Sequence, residues 1–253
     1  MRRTPPQGLV HIMVLLSLYA KGIHALRSVL KRAGILERID KWAKKSRWGL
    51  WFRSLFSVLD FEDFQSLDTP WWVMTAGAEI DEFLRQRPHS RVLEWGSGAS
   101  TVWLSRRSSE VFTLESDPDW AARVRALIPA TVQLILREAP RRTLPHSLRS
   151  RRLGFRSCDF RDYVEAAQAI PGAFDLIVVD GRAREACFRH AHTRLTEGGV
   201  ILFDNTNRRR YRAELRRHRG HISVQTHVGL TPILPWPSHT SIVRVLPHHA
   251  ASG

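Results

Sequence analysis

Short apolar runs closed by an acidic residue recur through the middle of the chain. Val92-Leu93-Glu94, Val111-Phe112-Thr113-Leu114-Glu115 and Phe174-Asp175-Leu176-Ile177-Val178-Val179-Asp180 each read as a strand ending in a carboxylate. Gly198-Gly199-Val200-Ile201-Leu202-Phe203-Asp204-Asn205 reads as another, entered through a glycine turn, and residues 131–136 supply one more. Nearly continuous apolar strands are those covered on both faces, as in parallel sheets. Helical signals alternate with them. Ala76, Ile80 and Leu84 share one face ahead of the first strand, after an extended Thr69-Pro70 turn. Asp117 caps a helix that has Pro118 in its first turn and Trp120, Val124 and Leu127 along one side. After a basic helix over residues 208–219, residues 222–228 and 240–245 alternate apolar and polar, predicting two half-exposed strands. Strands interleaved with helices predict an α/β fold.

The first 67 residues follow a different pattern. Residues 9–20 form an apolar run behind Met1-Arg2-Arg3, with His11 inside it and Lys21 behind it. The run is shorter than the roughly 20 residues that a spanning helix needs, and no convincing small-x-small cleavage site follows. Trp48, Trp51, Phe52, Leu55 and Phe56 then repeat at helical spacing among Lys41, Lys44, Lys45, Arg47 and Arg53. Such a helix suits either a lid packed on a catalytic domain or an interfacial helix on anionic lipid. The division expected is a helical extension over residues 1–67 and one catalytic domain over residues 68–253.

Charge adds one constraint and cysteine another. With 39 Lys and Arg against 24 Asp and Glu, the formal net charge is +15, which draws the chain toward nucleic acid, anionic lipid or an acidic substrate unless the arginines are only solvated surface. Part of that excess sits in a segment without periodicity, residues 137–156, holding Arg141, Arg142, Arg149, Arg151 and Arg152; it reads as a solvated loop or a clamp for a phosphate-bearing acceptor. Two cysteines, Cys158 and Cys187, support neither a disulfide framework nor a Cys-based metal site.

The chemistry gathers around Glu94-Trp95-Gly96-Ser97-Gly98-Ala99-Ser100-Thr101, where an acid-tipped strand passes through two glycines into a helix. Such a turn is either ordinary tight-turn chemistry or a cradle in which backbone approaches a ligand. Glu115 closes the next strand about 20 residues beyond the glycines, placed to accept two ribose hydroxyls. A dinucleotide fingerprint fits poorly, because Thr101 stands at the third glycine position and Glu94 would repel a pyrophosphate. A ligand with a cationic or amine-bearing end suits the turn better.

Across residues 68–246 these motifs, in this order, resemble the class I S-adenosylmethionine (SAM)-dependent methyltransferases. The resemblance implies a Rossmann-like seven-stranded sheet with a terminal antiparallel pair. It assigns Glu94, Gly96 and Gly98 to the methionine end of the cofactor and Glu115 to its ribose. Ser157-Cys158-Asp159-Phe160 looks like the adenine-contacting motif, giving Asp159 and Phe160 to the base, and Asp180 would face the acceptor. Asp180, Asp204 and Asn205, three oxygen-bearing groups at neighbouring strand ends, suit a hard cation such as Mg²⁺ and look like the ion site of metal-dependent O-methyltransferases of the catechol type. Those enzymes carry a Lys base three residues past the first acid, where this chain has Ala183. The alternative is that Asp180 orients cofactor or acceptor while Asp204-Asn205 caps the following helix. Arg182 and Arg184 are candidates for an acidic group on the acceptor or else the solvated start of a helix, and Trp71 and Trp72 are walls of its pocket or a cover on the sheet edge. His239, expected in a loop over residues 229–239, is a candidate base alongside Asp180.

The function expected is methyl transfer to a hydroxyl of a small molecule, a glycan or a lipid-linked intermediate, in the cytoplasm or peripherally at a membrane through residues 1–60. The alternatives are an RNA methyltransferase and a non-catalytic binding module held at membrane or nucleic acid by the basic extension.

Overall fold

The computed structural model describes residues 7–142, 144, 146–151 and 154–246, and for residues 7–16 the backbone alone. Met1-Arg2-Arg3, the side chains of most of the 9–20 apolar run including His11, and Arg152 lie outside the described residues. Four helices lead: α1 (Gln7–Arg32), α2 (Ile35–Lys45), α3 (Arg47–Ser54) and α4 (Phe61–Ser66). The α/β part follows as α5 (Met74–Arg85), β1 (Arg91–Trp95), α6 (Ala99–Ser105), β2 (Glu110–Glu115), α7 (Pro118–Arg125) and β3 (Val132–Leu136). It continues through α8 (Arg161–Glu165), β4 (Phe174–Val179), α9 (Arg184–Ala191), β5 (Leu195–Asp204), α10 (Arg209–Arg217), β6 (Ile222–Leu230) and β7 (Pro237–Val245).

The strands form one seven-stranded sheet in the order β3-β2-β1-β4-β5-β7-β6. β1 to β5 run parallel, and β7 is antiparallel to both β5 and β6. Strand order reverses between β1 and β4, since β1 leads outward to β2 while β4 begins the other half. A crevice therefore opens beyond their carboxyl ends, where ligands bind in open α/β sheets.

Successive residues of the central strands serve opposite faces, as the pleat requires. Leu93, Trp95, Ile177, Val179, Ile201 and Phe203 pack against α8, α9 and α10. Val92, Leu176, Val178, Val200 and Leu202 pack on the other face with Ile80, Leu84 and Trp103. This two-sided burial explains the continuous apolar runs. β6 is an edge strand exposed along most of its length, with Val224 and Val228 in water, so its apolar alternation does not mark a buried face.

The extension is a packed unit. α2 and α3 cross so closely at Gly49 that a Cβ there would lie 2.6 Å from the Trp42 carbonyl oxygen. Buried Arg53 bridges Asp40 at 2.6 Å and Asp63 at 2.8 Å. Burial alone would lift the Asp63 carboxyl, but Arg53, Ser57 and Arg27 outweigh it and hold it at about 2. The extension also docks on the sheet edge. Trp51 Nε1 donates to the Leu234 carbonyl at 2.9 Å, the Ile233 amide donates to Ser54 Oγ at 2.8 Å, and Phe61 packs on Trp120 with ring centroids 5.0 Å apart. Among the described residues no helix is long and apolar enough to cross a membrane.

The expected loop over residues 229–239 is shorter than the sequence pattern suggested. β6 and β7 pair out to Gly229 with Ser238 and Leu230 with Pro237, so His239 is a strand residue.

Candidate active site

The turn after β1 lies in the crevice and is pressed against the end of β4. Gly96 has φ +103°, and a Cβ on it would stand 2.5 Å from Gly181 Cα and 2.6 Å from Gly181 N. Glycine is therefore demanded here by the fold itself. Gly98 differs: its backbone is extended, and a Cβ would meet nothing nearer than Trp120 at 3.9 Å. The protein's own packing leaves room for a side chain at Gly98. A cradle that a Cβ would fill is what close approach of a ligand to backbone requires.

Glu94 lies beneath this turn, fully buried. It accepts from Ser100 Oγ and Thr101 Oγ1, both at 2.5 Å, and from Thr113 Oγ1 at 2.8 Å. Thr101 Oγ1 in turn accepts from the Gly98 amide at 2.8 Å. Burial pushes the Glu94 carboxyl up to about 7, against the three hydroxyls that favour its charged form. Glu94 thus braces the glycine turn from below.

Glu115 reaches the turn from β2. One carboxylate oxygen accepts from Ser97 Oγ at 2.9 Å and the Ser97 amide at 3.2 Å, and the other accepts from the amides of Ser116 at 2.6 Å and Asp117 at 3.0 Å. Trp120, fixed where Asp117 Oδ1 caps α7 at 3.0 Å, donates its indole N–H to the Ser97 carbonyl at 2.8 Å.

Asp159 and Phe160, adjacent in sequence, part company in space. Asp159 is buried, and its Oδ1 accepts from the amides of Leu148 at 3.2 Å and Arg161 at 3.1 Å. Burial would raise this carboxyl, but those amides and Arg142 overcome it and hold it below the usual carboxylate range. Its Oδ2 is buried without a hydrogen bond, with Arg142 Nε at 3.4 Å as an ion-pair partner. Phe160, expected at the adenine, has its side chain fully enclosed in the core, edge-on to Tyr163 at 6.0 Å.

At the ends of β4 and β5, Asp180, Asp204 and Asn205 do converge, but they converge on Arg184. Its Nη2 meets Asp180 Oδ1 at 2.6 Å and the Asp180 carbonyl at 2.5 Å; Nε donates to the Gly181 carbonyl at 3.0 Å. Nη1 donates to the Asp204 carbonyl at 2.9 Å and Asn205 Oδ1 at 3.2 Å, with Asp204 Oδ2 at 3.6 Å. The remaining oxygens are engaged too. Asp180 Oδ2 accepts from Trp72 Nε1 at 3.3 Å, Asp204 Oδ1 from Thr240 Oγ1 at 2.6 Å, and Asp204 Oδ2 from Asn205 Nδ2. Burial lifts the Asp180 carboxyl to about 7, with Asp204 adding to the rise and Arg184 opposing it; Asp204 is also raised. The oxygens expected to hold Mg²⁺ therefore surround a guanidinium, and among the described residues no group of three or more His, Cys, Asp or Glu is arranged for a metal. This arrangement does not fit a divalent ion, and Arg184, buried, is not available to an acceptor's acidic group.

The other candidates separate as well. Trp72 is completely buried, whereas Trp71 is 46% exposed beside Phe64. His239 accepts from the Thr206 amide through its carbonyl, and its Nδ1 is buried without a partner. Strand alternation puts its side chain on the face opposite Thr240, the residue that reaches Asp204. Sequence reasoning missed Thr113, although it is the one polar residue among the apolar positions 111–114 and lies in register beside Glu94. It also missed Arg184 as a partner of the strand ends, because the contact depends on a tight start to α9 after Ala183, whose φ is +47°.

A family model described as a methyltransferase domain matches residues 93–206. No curated protein matches the chain. Among solved structures, an O-methyltransferase from Bacillus cereus in complex with SAH is similar with a TM-score of 0.53 and 19% identity, over 77% of this chain and 90% of that one. A precorrin 8W decarboxylase from Methanobacterium thermoautotrophicum gives 0.49 and 16% over 70% and 94%, and an rRNA methylase from Streptococcus thermophilus 0.46 and 14% over 67% and 95%. The family match begins in β1 and ends just past β5, taking in both carboxylate clusters of the crevice, and the Bacillus cereus enzyme shares the fold. Residues 93–206, which carry β1 to β5 and the turn of the crevice, thus match a methyltransferase domain, within a chain that has the fold of an O-methyltransferase.

Proposed function

We propose that the crevice binds S-adenosylmethionine and that the protein methylates a hydroxyl acceptor at the end bounded by Asp180. The observation that carries the cofactor reading is the contrast at the turn: Gly96 is forced by the fold, whereas Gly98 is not and leaves its space to a ligand. Ser97 to Gly98 would take the methionine end, with Glu94 bracing them. Glu115 would take the ribose as Ser97 Oγ, a rotatable donor, gives way. The buried Asp159 Oδ2, which makes no hydrogen bond and has only Arg142 Nε at 3.4 Å, would receive an amine such as that of adenine. Bound there, the cofactor supplies an electrophilic methyl carbon on a sulfonium.

The chain's own contribution is positioning, exclusion of water and handling of one proton. Asp180 is fixed from two sides by Trp72 and Arg184 at the carboxyl edge of β4. Held so, Asp180 would accept the proton that a hydroxyl sheds. The test is to incubate the protein with methyl-labelled cofactor and fractionated cell extract. Label in a small-molecule, glycan or lipid fraction, stable to ribonuclease and lost with Asp180→Asn, supports this reading. Ribonuclease-sensitive label would establish the RNA alternative, and no label with cofactor bound would favour the non-catalytic module.

The outward face of the extension supports a peripheral membrane contact. Trp51 and Ser54 point inward to the β6–β7 loop, but Leu26, Val29, Ile35, Trp42, Trp48 and Phe52 are exposed among Lys41, Lys44, Lys45 and Arg47. Rings at headgroup depth with cations beside them suit an anionic bilayer, each cation adding about 1 kcal/mol near the surface. Flotation with phosphatidylcholine vesicles, with and without phosphatidylserine, should show binding to the anionic vesicles alone and its loss in Trp42→Ala/Trp48→Ala. Absence of binding to phosphatidylserine vesicles would leave the extension as a lid only.

A further inference from the structure

We infer that Arg184 is the resident cation of the acceptor end, occupying with its guanidinium the place a divalent ion would take, so that the site works without a metal. The geometry is a full match of donors to acceptors. A guanidinium carries five N–H groups in a fixed fork, and here Nε serves Gly181, the Nη2 pair serves the Asp180 side chain and carbonyl, and the Nη1 pair serves the Asp204 carbonyl and Asn205.

The side-chain oxygens are as fully used as the donors. Both oxygens of Asp180, both of Asp204 and the one of Asn205 each hold a partner within the protein: Arg184, Trp72, Thr240 or Asn205 itself. A hard cation needs six or more oxygen ligands, some of them free to exchange for water or substrate. To enter, it would have to expel a buried guanidinium and leave that charge without its carboxylates.

The backbone is built around the same contact. Ala183 and Asn205 are non-glycine residues held in the left-handed region, at φ +47° and +58°. Such residues are strained and persist where the surroundings over-determine them. One of them precedes Arg184 and the other supplies an oxygen to it. Arg184 is thus a positioning residue: it fixes Asp180 facing the crevice and neutralises part of its charge, but offers no open coordination position to a substrate oxygen. Metal-free transfer rests on the methyltransferase reading; the occupancy of the cage does not, and it can be tested without cofactor or acceptor.

The experiment is titration of the full chain with Tb³⁺, read as tryptophan-sensitised emission, with Mg²⁺ calorimetry beside it. Trp72 donates to Asp180 and would sensitise an ion held there. The wild type is expected to show no saturable one-to-one binding that depends on Asp204, judged against Asp204→Asn. Arg184→Ala, checked for folding by circular dichroism, is expected to gain saturable emission that is lost again in Arg184→Ala/Asp204→Asn. One-to-one Tb³⁺ or Mg²⁺ binding by the wild type that Asp204→Asn abolishes would overturn the inference, as would a folded Arg184→Ala protein that gains none. The wild-type comparison decides the matter even where Arg184→Ala does not fold. Binding of SAH is measured separately, so failure of the cofactor reading and failure of this one are distinguishable.

Discussion

Glu94 beneath the glycine turn and the Asp180–Asp204 pair at the neighbouring strand ends are both buried carboxylate centres on one sheet edge, yet they are held in different ways. Glu94 is ringed by three hydroxyls, which donate without carrying charge and can reorient if the acid is protonated. Asp180 and Asp204 enclose a guanidinium that is always charged. The first centre can become neutral and keep its hydrogen bonds, whereas the second is bound to its cation. That difference suits the roles proposed for them: a turn that keeps its shape around a ligand, and a carboxylate aimed at an acceptor.

The largest effect should come from removing the cation. Arg184→Met leaves buried Asp204 and the partly exposed Asp180 without their partner, and breaking a buried pair in this way costs about 3–5 kcal/mol. Thermal unfolding should show it as a large drop in Tm, and a drop no greater than that of a surface arginine would mean the cage is only loosely formed.

Next is the pH dependence of Glu94. Its folded value of about 7 lies above the ordinary 4.5, so its contribution to stability is fully present below about 4.5 and is lost as pH rises toward 7. One pKa unit corresponds to about 1.4 kcal/mol, so the loss is at most about 3.5 kcal/mol. Glu94→Gln keeps the shape without the ionisation. The gap between its Tm and that of the wild type should shift in the variant's favour from pH 5 to pH 8; a gap constant with pH would show that Glu94 is ordinary in its titration. Because Asp180 also sits near 7, the comparison with the variant, and not the wild-type curve alone, isolates Glu94.

The two glycines give a smaller and more selective contrast. Gly96→Ala forces a left-handed backbone and a clash with Gly181, costing at least about 1–3 kcal/mol. Gly98→Ala should change stability by less than about 0.5 kcal/mol while weakening SAH about tenfold or more, measured by calorimetry. Equal losses of stability in the two variants would dissolve the distinction between them.

Much of this was legible in the sequence. Four of the seven strands follow from the runs ending in Glu94, Glu115, Asp180 and Asp204, because two-sided burial leaves so plain a pattern, and Asp117 with Pro118 announced α7. The convergence of Asp180, Asp204 and Asn205 was legible as well, since strand ends of a parallel sheet share an edge. What fills their centre was not. Arg184 reads in the sequence as an acceptor contact or as the solvated start of a helix, and only the left-handed turn at Ala183 carries it inward. Phe160 shows the reverse case, where a motif position resembles a cofactor contact while packing with Tyr163 and Phe155 makes it core. His239 depended on how far β6 and β7 pair, which alternation alone does not limit.

The most direct test of the cofactor crevice is calorimetric titration of the wild type and Glu115→Ala with SAH. Binding at one site per chain is expected, weakened at least about tenfold in Glu115→Ala, because a hydrogen bond to a charged group contributes about 1.5–3 kcal/mol. A wild-type protein that gives no binding heat, or a Glu115→Ala variant that binds as tightly as the wild type, would contradict the account of the crevice.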